Sequence, residues 1–298
     1  MSCNPVKIFI EKNLSLFARI CAFILLAAFA SVLGFLIIKG WRTLNLELIF
    51  GTTPPLEALL FRRQVFNGLF PAIVGTFLLI ILSVCWAIPI GIGSGIYLAE
   101  YATGKTKKIL NIFFDILAGL PSIVVGLFGF SITIFLNKHL SNNIYPCLFI
   151  SSLALAFLVL PYIIRTTQAA LEGQPHLLRM TAPALGASKL QNIIKILLPQ
   201  SLSGIISGVI LATGRCTEDT AVIMLTGVVA STGIPDSLFS SYEALPFYIY
   251  YISSQYSNQK ELTTAYGAAL ILLVICLILF SLAFIIKKRI SHYSNIKI

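Results

Sequence analysis

An arginine and two carboxylates stand together where the surrounding chain is apolar. In Gly214-Arg215-Cys216-Thr217-Glu218-Asp219-Thr220-Ala221-Val222, Arg215 is followed at i+3 and i+4 by Glu218 and Asp219. The run LSGIISGVILAT precedes the group and IMLTGVVA follows it. On a helix these spacings put all three side chains on one face. A guanidinium presents a planar fork of donors that suits a carboxylate or a tetrahedral oxyanion. Two uses follow. The charges can lock helices together as an ion-pair cluster, or they can line a polar path, since charges at membrane depth face a bundle interior or a water-filled cavity.

The rest of the chain says what must position them. Of its 298 residues 57% are hydrophobic and 11% charged, whereas charged residues make up about a quarter of an ordinary soluble domain. A membrane-spanning helix needs about 20 apolar residues. Six segments qualify, at roughly 20–38, 69–98, 112–136, 144–164, 203–229 and 265–286. The expected fold class is therefore an all-α membrane protein of six transmembrane helices forming a single domain over 1–298. The first segment ends in IIKGW without a small-residue cleavage site, and reads as a retained anchor helix. Residues 202–229 as one helix would run about 42 Å, with Arg215 near its midpoint.

The net charge of +10 reflects topology and excludes a nucleic-acid-binding reading, because Lys and Arg cluster in short segments between apolar runs. Lys7, Lys12, Arg19, Lys105, Lys107, Lys108, Arg165, Arg179, Lys189, Lys195, Lys287, Lys288, Arg289 and Lys297 fall on one side. Lys39, Arg42, Arg62, Arg63, Lys138 and Lys260, diluted by acids, fall on the other. That bias predicts cytoplasmic N- and C-termini. The segment TTPPLEALLFRRQVFNGLF is expected to lie along the interface. The six cysteines show no CxxC spacing and the three histidines are far apart, so neither a disulfide framework nor a metal site is expected.

Two stretches imitate nucleotide sites. IPIGIGSGIYLAE lies inside the second apolar span, where its glycines serve close helix approach. ATGKTKK ends like a phosphate-binding loop, but position 99, where the first glycine belongs, is alanine. The chain is expected to bind no ATP and to hold no cofactor, so energy must come from a partner or an ion gradient.

The connection over 165–200 carries apolar residues at helical spacing, Leu177, Leu178, Ala182 and Leu185, then Ile193, Ile194 and Leu197. Gly186 interrupts them and Pro199 ends the second group just before the fifth span. A helix, a turn and a second helix near the membrane surface are predicted, either as an interfacial hairpin or as a docking element for a cytoplasmic partner. ALGASKLQNIIKILLP resembles the coupling loop of ABC-importer permeases. Together with GLPSIVVGLFGF, LPYIIRTTQAAL and DTAVIMLTG it is similar to the A-type permease subunits of bacterial phosphate (Pst) importers, over about residues 65–286.

This resemblance implies a multi-pass subunit of the bacterial inner membrane, forming half of a phosphate pathway with a C-type permease. A dimer of ATP-binding subunits, which bind the ATP and Mg, would dock below, and a periplasmic phosphate-binding protein above. It implies coupling contacts from Leu178, Ala182, Leu185, Gly186, Ala187 and Pro199, although Met180 stands where the family usually has glutamate. It also implies a substrate path at Arg215 and Asp219, with Glu218 replacing a family glycine and Val222 a proline. Hydrogen phosphate carries an O–H that can donate to such carboxylates and sulfate has none, which separates the two anions by a satisfied hydrogen bond. Because the three charges sum to minus one, a partner chain or Arg165 must add positive charge. The alternatives are another oxyanion (molybdate, tungstate or sulfate) or a self-sufficient secondary transporter or channel.

Overall fold

The structure, a computed structural model, describes residues 5–60, 64–66, 68–139 and 145–296, with side chains described between 11 and 289. Arg62, Arg63 and Lys297, used above for orientation, lie outside the described residues. The described residues are almost wholly helical. Among the described residues six helices are long and apolar enough to cross a membrane, because only helices let an open chain satisfy its own backbone in lipid.

The first, α1 (Pro5–Gly40), packs along the last helix and is otherwise exposed. Two short helices, α2 (Leu46–Phe50) and α3 (Pro55–Leu59), follow it. Ala58 of α3 is buried and Leu56, Leu59 and Leu60 are exposed. Helix α4 (Phe70–Ile96) runs on through a π-helical turn, Tyr97–Tyr101. The expected segment 112–136 is two helices, not one: α5 (Gly104–Ala118) and α6 (Ser122–His139). Pro121, which cannot continue a helix from its N-terminal side, separates them at Gly119-Leu120. Helix α7 (Leu148–Glu172) is the most buried of the spans and the centre of the bundle.

Beyond α7 come α8 (His176–Ala184) and α9 (Lys189–Asn192), then a π-helical turn, Ile193–Leu197, that leads directly into α10 (Leu198–Glu218). Pro199 therefore does not end a surface helix, as the sequence suggested. It sits in the first turn of α10, just after a register shift, where a missing N–H is tolerated. After α10 the chain breaks, continues as α11 (Ala221–Thr226), folds into a loop, and ends with α12 (Leu245–Gln255) and α13 (Gln259–Ile296).

Helix α4 packs along α7, and α7 along α10, which in turn meets α13. Small residues allow these approaches. A Cβ on Gly91 or Gly95 would fall within 2.8 Å of Ile163 or Thr167, and one on Gly208 within 1.8 Å of Thr166 Oγ1. Of the glycines of IPIGIGSG, Gly91 and Gly95 thus serve helix contact, whereas a Cβ on Gly93 would meet nothing within 4 Å. The close approach of Gly40 to Tyr266 and Leu270 places the start of α1 at the same end of the bundle as α5, α8, α9 and Lys287–Arg289. This is the basic end.

Candidate functional site

The site begins with how α10 stops. Asp219 leaves the helix with φ −78° and ψ 112°, and its Oδ1 accepts the backbone N–H of Val222 at 3.0 Å in the first turn of α11. An acidic side chain at a helix start satisfies an orphan donor and meets the positive end of the dipole. The helix therefore breaks here without the proline that the resemblance led one to expect at 222. The other Asp219 oxygen lies 3.7 Å from Arg215 Nη2, and Asp219 is buried, its side chain 3% exposed.

Glu218 goes the opposite way. Its side chain is 64% exposed, and its Oε1 accepts from Arg215 Nη1 at 2.7 Å. Arg215 is half-buried between the two carboxylates, and its Nε is buried with no partner among the described residues. The expected single face of three charges is thus divided. Asp219 turns inward as a cap because the helix ends before it, while Arg215 and Glu218 turn into a groove of about 700 Å³. Tyr162 of α7, Ser207 and Leu211 of α10, and Cys276 and Phe280 of α13 line the rest of it. This arrangement can hold an oxyanion on the guanidinium and offer it a carboxylate acceptor.

Arg165 does not join the group. Its guanidinium donates to the side-chain and backbone oxygens of Asn111, both at 2.6 Å, to Gln168 at 3.0 Å, and to Asp115. It braces α5 against α7. Its neighbour Thr166 meets α10 at Gly208, about 10 Å along that helix from Arg215. Within this chain, then, Arg165 adds no positive charge to the group of Arg215, Glu218 and Asp219.

The residues expected to make coupling contacts also divide. Leu178 packs on the cluster of Leu171, Ile193 and Leu197, and Ala182 is buried, so these two hold α8 to its own chain and do not face outward. Ala182 also accepts from the N–H of Ala187, and Pro183 from that of Gly186, whose φ is +85°. This left-handed closure ends α8 and explains both the glycine and Ala187. The exposed row is Leu177, Met180 and Ala184 at i, i+3 and i+7, continued by Leu185 at 89% exposure. The sequence did not distinguish this row from the inward one.

Charged residues read only as topology markers anchor this element. Arg179 Nη1 donates to Glu100 Oε1 at 2.6 Å and Nη2 to the Leu171 carbonyl at 2.6 Å, while Asn192 donates to the Arg179 carbonyl at 3.0 Å. Lys189 donates to the Glu100 carbonyl and lies over the Tyr101 ring. The end of α4 is thereby tied to α8 and α9. Lys107 pairs with Glu172 at 2.7 Å.

At the opposite end, Glu243 is buried and accepts the N–H groups of Thr232 and Gly233 at 2.8 and 2.7 Å, fastening the loop after α11. Burial pushes its carboxyl above the usual 4.5, and the two backbone donors offset part of that rise. Neighbouring Tyr242 is fully buried and its phenol is pushed far up by desolvation. Among the described residues no three His, Cys, Asp or Glu side chains gather as a metal site.

The family model described as "Binding-protein-dependent transport system inner membrane component" matches residues 87–292. The chain is 33% identical over 261 residues to the phosphate transport system permease protein PstA of Haemophilus influenzae, covering 87% of each chain. It is 31% identical over 240 residues to PstA 1 of Mycobacterium tuberculosis, covering 80% of this chain and 72% of that protein. Its fold is similar to a bacterial alginate ABC transporter chain (TM-score 0.66, 17% identity, 95% of this chain and 96% of that one). It is also similar to a chain of the MetNI methionine ABC transporter (TM-score 0.56, 19% identity, 82% and 99%).

Proposed function

Because the chain belongs to the inner membrane components of binding-protein-dependent transport systems, and among them to the PstA-type permeases, we propose that it forms half of a pathway that carries inorganic phosphate across the membrane. As a permease subunit of an ABC importer it is not itself an enzyme. It works with a separate ATP-hydrolysing subunit and a binding protein. The other half of the pathway is a C-type permease. The basic end of the bundle faces the cytoplasm, so that both chain termini lie there.

The observation that carries the cargo assignment is the helix break at Asp219. It leaves Arg215 half-exposed in a groove, flanked by two carboxylates in different surroundings. Arg215 binds the phosphate oxygens, and Glu218 accepts the phosphate O–H once the anion has taken the guanidinium. Arg165 is already committed to Asn111, Asp115 and Gln168, so the extra positive charge comes from the partner permease. On α8 the exposed row Leu177, Met180, Ala184 and Leu185 meets the ATPase. Leu178, Ala182, Gly186 and Ala187 shape that helix from behind.

Competition tests the cargo. ATP-driven uptake of labelled phosphate by vesicles holding the assembled importer should be displaced by excess unlabelled phosphate and resist sulfate, molybdate and tungstate. Displacement by one of those anions at concentrations comparable to phosphate would transfer the assignment to that oxyanion.

A further inference from the structure

We propose that Glu218 is a tethered competing anion that sets which ions can use Arg215. The proposal rests on the pathway reading above and adds a selectivity rule to it.

The two carboxylates beside Arg215 are not equivalent. Asp219 is buried and engaged by the Val222 N–H, so it cannot leave without undoing the start of α11. Glu218 has no partner among the described residues other than Arg215, and its side chain is mostly exposed in the groove. A rotation about its own side-chain torsions takes it off the guanidinium at small cost. With the groove empty, Glu218 keeps the arginine charge neutralised, 2.7 Å away, in surroundings where a bare cation is expensive.

An anion that takes both arms of the fork must therefore displace a carboxylate already in place, and one that does not meets a guanidinium already neutralised. A divalent oxyanion brings more charge than the carboxylate and accepts two parallel N–H bonds from the fork. The displaced Glu218 can then accept the O–H of hydrogen phosphate. A monovalent, spherical ion such as chloride has neither advantage and is excluded. With glycine at 218 there would be no such competitor, and exclusion of small anions would fall to other parts of the path.

The thiol of Cys276 lines the same groove and reports on it without relying on transport. The assembled importer, at mildly alkaline pH where phosphate is mostly divalent, is treated with a methanethiosulfonate reagent. Modification of the Cys276 peptide is then followed by mass spectrometry with phosphate or with chloride at equal ionic strength. In the unaltered protein phosphate should slow modification and chloride should not. In Glu218→Gln the half-protecting phosphate concentration should fall about fivefold, the effect of removing one partly exposed ion pair, and chloride should begin to protect. Glu218→Asp, which keeps the charge on a shorter side chain, should again exclude chloride. Phosphate protection that is identical in Glu218→Gln, or chloride protection already present in the unaltered protein, overturns the proposal and leaves the pathway reading standing. If phosphate protects Cys276 in no variant and Arg215→Gln changes no rate, the pathway reading fails and takes the proposal with it.

Discussion

Replacing Arg179 with methionine should disconnect α8, the proposed coupling element, from the bundle. The guanidinium makes two 2.6 Å hydrogen bonds, to Glu100 Oε1 and to the Leu171 carbonyl. The Glu100 side chain is 8% exposed and that of Arg179 22%. Methionine retains much of the stem's packing, so the loss is electrostatic. Breaking a buried pair from one side costs about 3–5 kcal/mol, because the remaining charge stays buried. Arg179 is not fully buried and Lys189 approaches the Glu100 backbone, so the lower end applies. About 3 kcal/mol corresponds to on the order of a hundredfold fewer molecules with α8 seated. Glu100→Gln leaves a neutral acceptor and should cost about 1–2 kcal/mol. The double variant should cost less than the two singles summed, because neither removes the other's stranded partner. The assay is ATP hydrolysis and phosphate uptake measured on the same reconstituted importer. In Arg179→Met, uptake per ATP hydrolysed should fall by at least tenfold while the membrane-embedded part stays assembled. An unchanged ratio of uptake to hydrolysis, with additive single variants, would refute the anchoring role.

Three further outcomes follow from the geometry. Asp219→Ala removes the cap of α11 and one neighbour of Arg215, and should lower stability by about 1–2 kcal/mol, while Asp219→Asn, which keeps the acceptor for Val222, should lose less; thermal unfolding of the purified protein checks both. Gly75→Ala would place a methyl 2.0 Å from the Glu243 carbonyl oxygen, a contact that backbone cannot yield to cheaply. It should destabilise by about 1–3 kcal/mol and hasten proteolysis within 230–243. Glu243 has a carboxyl raised above 4.5 by burial, so the folded loop binds its proton more tightly than the unfolded chain does. Its contribution is fully present below about 4.5 and is lost as pH rises through the elevated value. Cleavage of the loop should therefore slow as pH is lowered through the elevated value towards 4.5, and Glu243→Gln should abolish that dependence.

The membrane class and six-helix fold were legible because lipid forces apolar runs of spanning length, and such runs are visible without tertiary information. Local breaks were less so. A hydropathy window passes over Gly119-Leu120-Pro121 and joins α5 to α6, although the pyrrolidine ring separates them. The same window runs one helix over 202–229, whereas α10 ends at Glu218 and α11 starts at Ala221, with the Asp219 carboxylate folded back on the Val222 N–H. Which row of α8 faces outward depends on whether Leu178 or Leu177 meets Ile193 and Leu197, and both rows have helical spacing. Arg165 and Arg179 looked alike as positive charges beside a membrane. Only their partners, Asn111 and Asp115 for one and Glu100 for the other, separate two different braces. At the candidate site, Arg215 and its neighbours were visible as charges in an apolar run. The division between a buried Asp219 and an exposed Glu218 required the end of α10 to be placed.

The most direct test of the central claim is ATP-driven phosphate uptake by reconstituted importer carrying Arg215→Gln, with assembly of the subunits verified in the same preparation. A pathway role predicts that assembly persists and that uptake falls to the level seen without ATP. Full uptake by the assembled Arg215→Gln importer would contradict it.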